Sequence, residues 1–281
     1  MANVYTQEYI GDTSLEDWLK LRKSGIGGSD ASVLLGVNPW TSVMQLYKDK
    51  TSQDIKTFQN EAMHFGHILE EIVAQEFAVR TGLEVEVYPY FMRSIQHPFI
   101  TANIDRKIKT DDGSFVGLEC KTTSASQEFE WGDNTIPIYY YIQVQHYMYV
   151  TGAKEWYVAV LIGGNKFRKY HVDRDEEMIK TIVEQEVKFW NNHVVPRKPP
   201  VDWKFVLGNN DSIHKMIDEY AKLYKNIGVL RKRMQKLERQ IQSYMAQHEQ
   251  NIISNGKYTA TVENGRVMLH PISEDECVNE L

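Results

Sequence analysis

The chain of 281 residues carries a net charge of −6 at pH 7 and has apolar and charged fractions of 42% and 25%, which suit an ordinary soluble protein with one large domain or a domain and an accessory region. It has no run of about 18 apolar residues and no basic or apolar start, so we expect no membrane span, no secretion signal and a cytoplasmic location. The two cysteines, Cys120 and Cys277, cannot hold a four-cysteine iron–sulfur or zinc site, and the acidic balance argues against general nucleic-acid binding while allowing a locally basic cleft.

Helical signals dominate the first third of the chain. Ser14, with Asp17 three residues later, resembles a capping box, and an apolar stripe of Leu15, Trp18, Leu19 and Leu21 follows. After the segment GIGGSD, a second helix is predicted from about 31 to 35, ending at Gly36. A third helix is predicted from about 59 to 80, with Glu76 at the centre of its apolar face. The residues of that face are Phe65, Leu69, Ile72, Val73 and Val79.

Strand signals dominate the middle of the chain. Two of the predicted strands are joined by a short loop that ends at Gly113, which indicates a hairpin. The alternation of strands and helices predicts an α/β fold with a mixed sheet flanked by helices. In chain order, the predicted elements are strands at roughly 84–95, 99–109 and 114–123, a helix at 138–150, strands in EWYVAVLIG and NKFRKYHVD, and a helix at 176–193.

The last part of the chain differs in character from the rest. Prolines mark residues 196–204 as a linker between a main domain of residues 1–195 and an accessory region of residues 205–281. Within that region, apolar residues recur in steps of three and four from Ile213 to Tyr244, which predicts one long helix with a coiled-coil seam. The seam could pack on the main domain, pair with another subunit or receive a partner. A terminal hairpin with an Asn-Gly turn and a frayed acidic end follow.

The predicted hairpin has a pairing with chemical consequences. If its loop has three residues, Thr110 faces Ser114 and Asp105 faces Glu119. Lys121 lies on the same face as Glu119, because side chains alternate along a strand. Two facing carboxylates repel each other, so they need a raised pKa or a cation, of which Mg²⁺ or Mn²⁺ is the simplest. The alternative is a surface hairpin with solvated charges.

A glycine-rich segment near the N-terminus suits an anion. Arg22 precedes GIGGSDA, where glycines allow close approach to a ligand and a following helix presents its amides. The alternative is a simple helix-capping turn. No Gly-Lys-Ser/Thr motif of a Walker A loop is present in the sequence, so we expect no ATP-driven motor.

Two predicted helices carry further candidate residues. Glu70 lies at the rim of the apolar face of the third helix, where it could reach over a sheet edge or be solvated. Gln143 and Tyr147 lie one turn apart on one helix face, with Gln145 on another. Nearby aromatic residues could stack on bases or fill the core. They are Trp131, Tyr139, Tyr140 and Tyr141.

In this order, the motifs resemble those of the YqaJ-type viral recombinase exonucleases, a branch of the PD-(D/E)XK nuclease superfamily that includes phage lambda exonuclease. RKSGIGGSDASVLLGVNPW is similar to the opening signature, FGHILEE to the Gly-x-x-x-Glu helix, TANIDRKI with GLECK to the Asp…Glu-x-Lys core, and QVQHYMYVTG to the Gln-rich helix. The resemblance covers about residues 15–175. Ile104 stands where the superfamily has Pro, and the long helix and terminal hairpin lie beyond the core.

The resemblance implies a restriction-endonuclease-like fold and a Mg²⁺-dependent exonuclease, in which Mn²⁺ can substitute. Such an enzyme digests linear double-stranded DNA from a 5′-phosphorylated end and leaves a 3′ single strand for annealing. The implied ligands of one or two metal ions are Asp105, Glu119, Glu70 and the backbone carbonyl of Cys120. Lys121 would orient the attacking water and stabilise the transition state, with a pKa that falls beside the bound metal, and Gln143 would fix the lysine or the scissile phosphate.

The resemblance also implies how DNA ends and partners are bound. Gln145 and Tyr147 are expected to contact DNA. A single-strand annealing protein, a ring-shaped homotrimer and a bacterial or phage-infected cell are implied as partner, assembly and setting. Two alternatives remain, namely a structure-selective or restriction-like endonuclease that uses the same acids and lysine, and a recombination scaffold without catalysis. The residues expected to bind the terminal 5′ phosphate are Arg22, Gly27, Gly28 and Ser29.

Overall fold

The computed structural model of the protein describes residues 4–53, 61–204, 211–263 and 265–272. The chain divides into two compact units, Met1–Gly208 and Asn209–Leu281, close to the boundary after residue 204 that the sequence suggested. Within the described ranges, the helices are all too short or too polar to cross a bilayer.

The first unit begins with a strand, continues with four successive helices and then five successive strands, and ends with two further helices that flank a pair of strands. Two of its elements, the strand β1 and the helix α3, were not predicted, because YTQEY and VMQLYKDKT show neither clear alternation nor a clear apolar face. The elements are β1 Tyr5–Tyr9, α1 Leu15–Lys23, α2 Gly28–Leu34, α3 Val43–Thr51, α4 Glu61–Thr81, β2 Val85–Val87, β3 Tyr90–Ser94, β4 Thr101–Ala102, β5 Arg106–Ile108, β6 Val116–Thr123, α5 Ile138–Thr151, β7 Glu155–Ile162, β8 Lys166–Asp173 and α6 Glu176–Phe189.

Two sheets share the strands of this unit. A five-stranded sheet has the order β2-β5-β6-β7-β8, and a three-stranded sheet has the order β1-β3-β4. The pairs are antiparallel except for the parallel pair of β6 and β7. The strands predicted at 84–95 and 99–109 are each divided between the two sheets. The first division falls at Pro89, which lacks an amide to donate to a ladder, and the second lies just before Asp105.

Helices cover both faces of the five-stranded sheet. On one face, α4 packs through Val73, Ala74 and Phe77 against Leu118 and neighbouring strand residues. On the other face, α5 contributes Val144, Tyr147 and Met148 to the larger core cluster. The β6 strand therefore lies between α4 and α5, and residues that alternate along it face one helix or the other.

The predicted buried face of α4 is wrong in part. Val73 is buried, but Phe65, Ile72 and Val79 are exposed, the last by 81%. Glu76 is not a core acid, because it pairs with Arg80 at the surface. Apolar residues occur around much of this helix, so their spacing alone did not identify the face that meets the sheet.

The predicted N-terminal cap of α1 is confirmed, whereas its apolar stripe is not a core face. The Asp17 amide donates to Ser14 Oγ over 3.1 Å, yet α1 has no buried residue. The segment predicted as a linker, residues 196–204, packs on the first unit. Trp203 packs edge-on against Phe189 and His193, and its indole donates to the Leu34 carbonyl over 3.1 Å, which fixes this segment on the first unit.

The second unit consists of a long helix and a small sheet. The helix α7 runs unbroken from Asp211 to Gln247, which confirms one continuous helix through Gly228. From Tyr220 onward the described residues of its seam are largely exposed, with Met234 at 68%. The Asn of the predicted turn, residue 264, and the acidic end at 273–281 lie outside the described residues. The antiparallel strands that follow α7 are β9 Ile252–Ser254, β10 Tyr258–Glu263 and β11 Arg266–Pro271.

Candidate active site

The hairpin of β5 and β6 brings Asp105 and Glu119 together. Arg106 pairs with Leu118, and the same register carried one residue outward sets Asp105 beside Glu119. The Cys120 amide donates to Asp105 Oδ2 over 2.8 Å, which fixes that carboxylate against β6. The predicted register is therefore confirmed, and Gly113 has the expected positive φ of +71° at the loop.

Glu119 is the most enclosed carboxylate of the group. It is 2% exposed, and its Oε1 accepts hydrogen bonds of 2.6 Å from both Lys121 Nζ and Gln143 Nε2. Its Oε2 is buried and has no hydrogen-bond partner in the described part of the chain. A buried acceptor without a donor costs about 1–3 kcal/mol, so this oxygen is suited to a positively charged ligand.

The charges of the group act strongly on one another. Burial, and after it the charge of Glu119, raises the pKa of Asp105 well above its usual value. Burial also raises the pKa of Glu119, although Lys121 opposes the change. Burial lowers the pKa of Lys121, but the adjacent Glu119 outweighs it and the pKa is raised. This direction applies without a cation, and the lowered pKa expected for Lys121 beside a bound metal ion stays a prediction.

The helix α5 positions the amide that orients Glu119. Gln143 and Tyr147 are both buried on the face predicted for them, and Gln143 Nε2 donates to the Tyr147 hydroxyl over 3.0 Å. The aromatic residues before and within this helix mostly fill the core. Trp131 and Tyr139 are buried, and the Tyr140 ring lies 4.7 Å from Lys121 Nζ, where its face stabilises the cation.

Gln145 lies on a different face of α5, where both ends of its side-chain amide bond protein groups. It is fully buried, its Nε2 donates to the Asp173 carbonyl over 2.7 Å, and its Oε1 accepts from the Asp175 amide over 2.9 Å. Both ends of the side-chain amide are thus used to join α5 to the start of α6. Its role is structural, because burial leaves none of its polar atoms accessible to a ligand.

Arg106 is a central residue of the site that the sequence did not single out. It is buried, and its Nη1 donates to Glu70 Oε1 over 2.5 Å and to the Asp105 carbonyl over 2.6 Å. Its Nη2 donates to Glu71 Oε2 over 2.8 Å. The guanidinium therefore joins α4 to the segment that carries Asp105. The sequence could have indicated it, because Arg106 directly follows Asp105 and therefore lies on the opposite face of the sheet, which α4 covers.

The site fits a divalent cation, although the acids do not converge as a preformed cage. Among the described residues, no three His, Cys, Asp or Glu side chains are arranged to hold a metal, and Glu70 is held by Arg106. Two observations favour a cation: the charge of Glu119 raises the pKa of Asp105, and the buried Glu119 Oε2 has no hydrogen-bond partner among the described residues. The ligand roles of Glu70 and the Cys120 carbonyl stay predictions.

The glycine-rich segment forms the turn between α1 and α2. Arg22 is exposed at the end of α1, and its Nη2 donates to Ser29 Oγ over 3.4 Å. The Gly27 amide donates to Asp30 Oδ2 over 3.0 Å, which removes it from the donors expected to bind a phosphate. Arg22 and Ser29 remain the accessible polar side chains of the expected phosphate-binding set.

Gly28 joins this turn to the catalytic candidates. A Cβ atom at position 28 would lie 2.7 Å from Tyr147 Cε1 and 3.0 Å from Gln143 Cγ, closer than packed atoms approach. Only glycine allows α2 to meet α5 at this distance, so the turn and the Gln143–Glu119 hydrogen bond depend on the same contact.

We predict that Gly28→Ala destabilises the protein and slows any hydrolysis, because Tyr147 and Gln143 must shift to admit the methyl group. Overpacking of this kind costs about 1–3 kcal/mol. Gly27→Ala is the matched control, since its Cβ would meet its nearest atom, Asp30 Oδ2, at 3.8 Å and its φ of −96° suits any residue. Urea unfolding of the two variants checks the difference, and equal stabilities would contradict it.

Comparisons with known proteins agree with this arrangement. Residues 17–154 match the family described as the YqaJ-like viral recombinase domain. The uncharacterized protein YqaJ of Bacillus subtilis (strain 168) is 39% identical over 265 residues, which cover 87% of this chain and 82% of that protein. An uncharacterized protein of Acanthamoeba polyphaga mimivirus is 29% identical over 150 residues, or 50% of this chain and 27% of its own length.

A solved structure shares the fold. The complex of LHK-Exo, an alkaline exonuclease from Laribacter hongkongensis, with dAMP has a TM-score of 0.50 at 15% identity, over 74% of this chain and 99% of that one. At this identity the likeness is one of fold. With the identity to the Bacillus protein over most of both chains, the protein belongs to the YqaJ-like viral recombinase family.

Proposed function

We propose that the protein is a metal-dependent DNA exonuclease of the phage recombination type. It would digest linear double-stranded DNA from a 5′-phosphorylated end and expose a 3′ single strand. The observation that carries the proposal is the cluster of Asp105, Lys121 and the buried Glu119, with Gln143 fixing the orientation of Glu119. Membership of a viral recombinase family and a fold shared with an alkaline exonuclease support it.

The residues of this group have distinct tasks in phosphodiester hydrolysis. Asp105 and Glu119 would hold Mg²⁺, which when bound would acidify the attacking water and offset charge on the phosphate. Lys121 would stabilise the negative charge that builds on the phosphoryl oxygens. Its ammonium group is held 2.6 Å from Glu119 Oε1, which would place a positive charge beside the reacting phosphate. Gln143 holds the Glu119 carboxylate in place at 2.6 Å.

The end preference would come from Arg22 and Ser29. Their side chains are exposed and adjacent, and a guanidinium prefers a terminal phosphate with two negative charges to a bridging phosphodiester. The sequence contains no Walker A motif, so sustained digestion would need encirclement of the DNA by a homo-oligomer, such as a ring trimer, or help from a partner. A single-strand annealing protein is the partner we propose for the 3′ strand.

A comparison of three substrates under single-turnover conditions with Mg²⁺ tests the proposal. We expect 5′-phosphorylated linear DNA to be digested to mononucleotides and closed circular DNA to stay intact. Digestion of 5′-hydroxyl linear DNA should start about one to three orders of magnitude more slowly, because it lacks one or two charge-assisted hydrogen bonds of about 1.5–3 kcal/mol each. Nicking of circles at a similar rate would favour the endonuclease. No Mg²⁺-dependent digestion at all would favour a scaffold.

A further inference from the structure

A buried lysine on α3 lies beneath the turn that carries Arg22. The Lys50 side chain is 0% exposed, and its ammonium group lies 2.7 Å from Asp30 Oδ2. It also donates to the Arg22 carbonyl over 3.0 Å. The same oxygen of Asp30 accepts from the Gly27 amide. Lys50 therefore contacts both ends of the turn, although α3 supplies no residue to the site described above.

Two cations compete for the Asp30 carboxylate. Burial raises the pKa of Asp30, but Lys50 and, after it, Arg22 outweigh burial and hold the pKa below its usual value. Lys50 makes the direct contact. Arg22 stays exposed at the surface, where its guanidinium bonds Ser29 over 3.4 Å and lies 5.6 Å from the Trp18 ring. Its charge remains available to an anion.

We propose that Lys50 is a positioning residue that neutralises Asp30 and thereby keeps Arg22 free to bind the anionic 5′ end of DNA. Without the lysine, the buried carboxylate would be left unpaired, which is strongly unfavourable. Arg22, whose charge also acts on Asp30, would then turn toward it. The inference rests on the proposed function, because it concerns the residue to which we assign the terminal phosphate.

A plain structural role for the pair makes different predictions. If Lys50 and Asp30 only joined α3 to α2, then Lys50→Met, Asp30→Asn and the double variant would change stability, and any change in DNA binding would follow stability. If Lys50 acts by neutralising the Asp30 carboxylate, the Lys50→Met variant no longer prefers 5′-phosphorylated ends to 5′-hydroxyl ends. The double variant, in which residue 30 carries no charge to attract Arg22, regains that preference.

The readout is the ratio of dissociation constants for short duplexes with a 5′-hydroxyl and a 5′-phosphate, measured by fluorescence anisotropy in EDTA so that no hydrolysis occurs. We expect a high ratio for the parent protein. In Lys50→Met the ratio should fall about tenfold or more, which corresponds to the loss of one charge-assisted contact. In Asp30→Asn/Lys50→Met the ratio should return to that of the parent. Lys48→Met is the matched control, because Lys48 is exposed on the same helix and its loss should leave the ratio unchanged.

Asp30→Asn keeps the test decisive if Lys50→Met does not fold. The Asn oxygen still accepts from the Gly27 amide, so the turn should persist, and we expect a ratio equal to or above that of the parent. An unchanged ratio in folded Lys50→Met, a failure of the double variant to regain it, or a tenfold fall in Asp30→Asn would overturn the inference. Equal affinities of the parent protein for both ends would instead overturn the proposed end recognition itself.

Discussion

We expect Asp105→Asn to abolish DNA hydrolysis and to leave the metal-free fold intact. We expect a loss of about three orders of magnitude or more, equivalent to about 4 kcal/mol of transition-state stabilisation, because the change removes a charged ligand of the proposed cation. The Asn oxygen can still accept from the Cys120 amide, which now bonds Asp105 Oδ2. Single-turnover digestion with Mg²⁺ checks the rate, and Glu84→Gln, at an exposed ion pair with Lys109, is the control.

The same variant should change how metal-free stability depends on pH. The pKa values of Asp105 and Glu119 are raised in the folded protein, so the folded state holds protons that the unfolded chain releases. Their contribution to stability is full below the ordinary carboxyl range near about pH 4 and is lost as pH rises through the raised values. The Asp105→Asn variant should therefore lose less stability than the parent protein as the pH rises. Thermal unfolding in EDTA from acid to neutral pH checks it, and a variant clearly less stable than its parent at neutral pH would count against the pairing.

Lys121→Ala should lose most of its turnover while it still binds DNA and metal. The ammonium group is held by Glu119 at 2.6 Å and by the Tyr140 ring, so it is preorganised for the charge of the transition state. Removal of one such donor costs about two to three orders of magnitude in rate. Single-turnover rates measured alongside DNA affinity separate the two effects.

Lys107→Ala is the matched control for this variant, because Lys107 lies on β5 of the same hairpin, beside Glu86 and the Phe115 ring. Its removal should leave the rate near that of the parent. If the DNA affinity of Lys121→Ala fell in proportion to its rate, the lysine would be an anchor for the phosphate backbone and its assigned role would be wrong.

The parts of the site that depend on local geometry could be predicted from the sequence. The glycine at 113 fixes the hairpin loop, and the loop fixes which residue faces Asp105. Gln143 and Tyr147 share a face because a helix repeats every 3.6 residues. These rules act over a few residues, so no knowledge of the remaining chain is needed.

The parts that depend on tertiary packing could not be predicted. Arg106 meets Glu70 only because α4 lies against the β5 side of the sheet, and the apolar pattern of α4 did not show which face turns inward. Helical spacing separated Gln145 from Gln143 but could not show that Gln145 faces backbone near Asp173. Lys50 lies in a short polar helix without a clear pattern, so nothing local linked it to Arg22.

The place of β6 in the sheet determines how the acids respond to local opening. This strand is the third of five and pairs along Glu119 and Lys121 with β7, whereas Asp105 precedes the short strand β5 and lies outside any ladder. Central strands exchange their amide hydrogens only in near-global unfolding, while segments at strand ends open at much lower free energy. In the metal-free protein, local opening should therefore separate Asp105 from β6 first, while Glu119 and Lys121 stay on their paired strand. A cation bound to both acids would stabilise the segment around Asp105 against this opening.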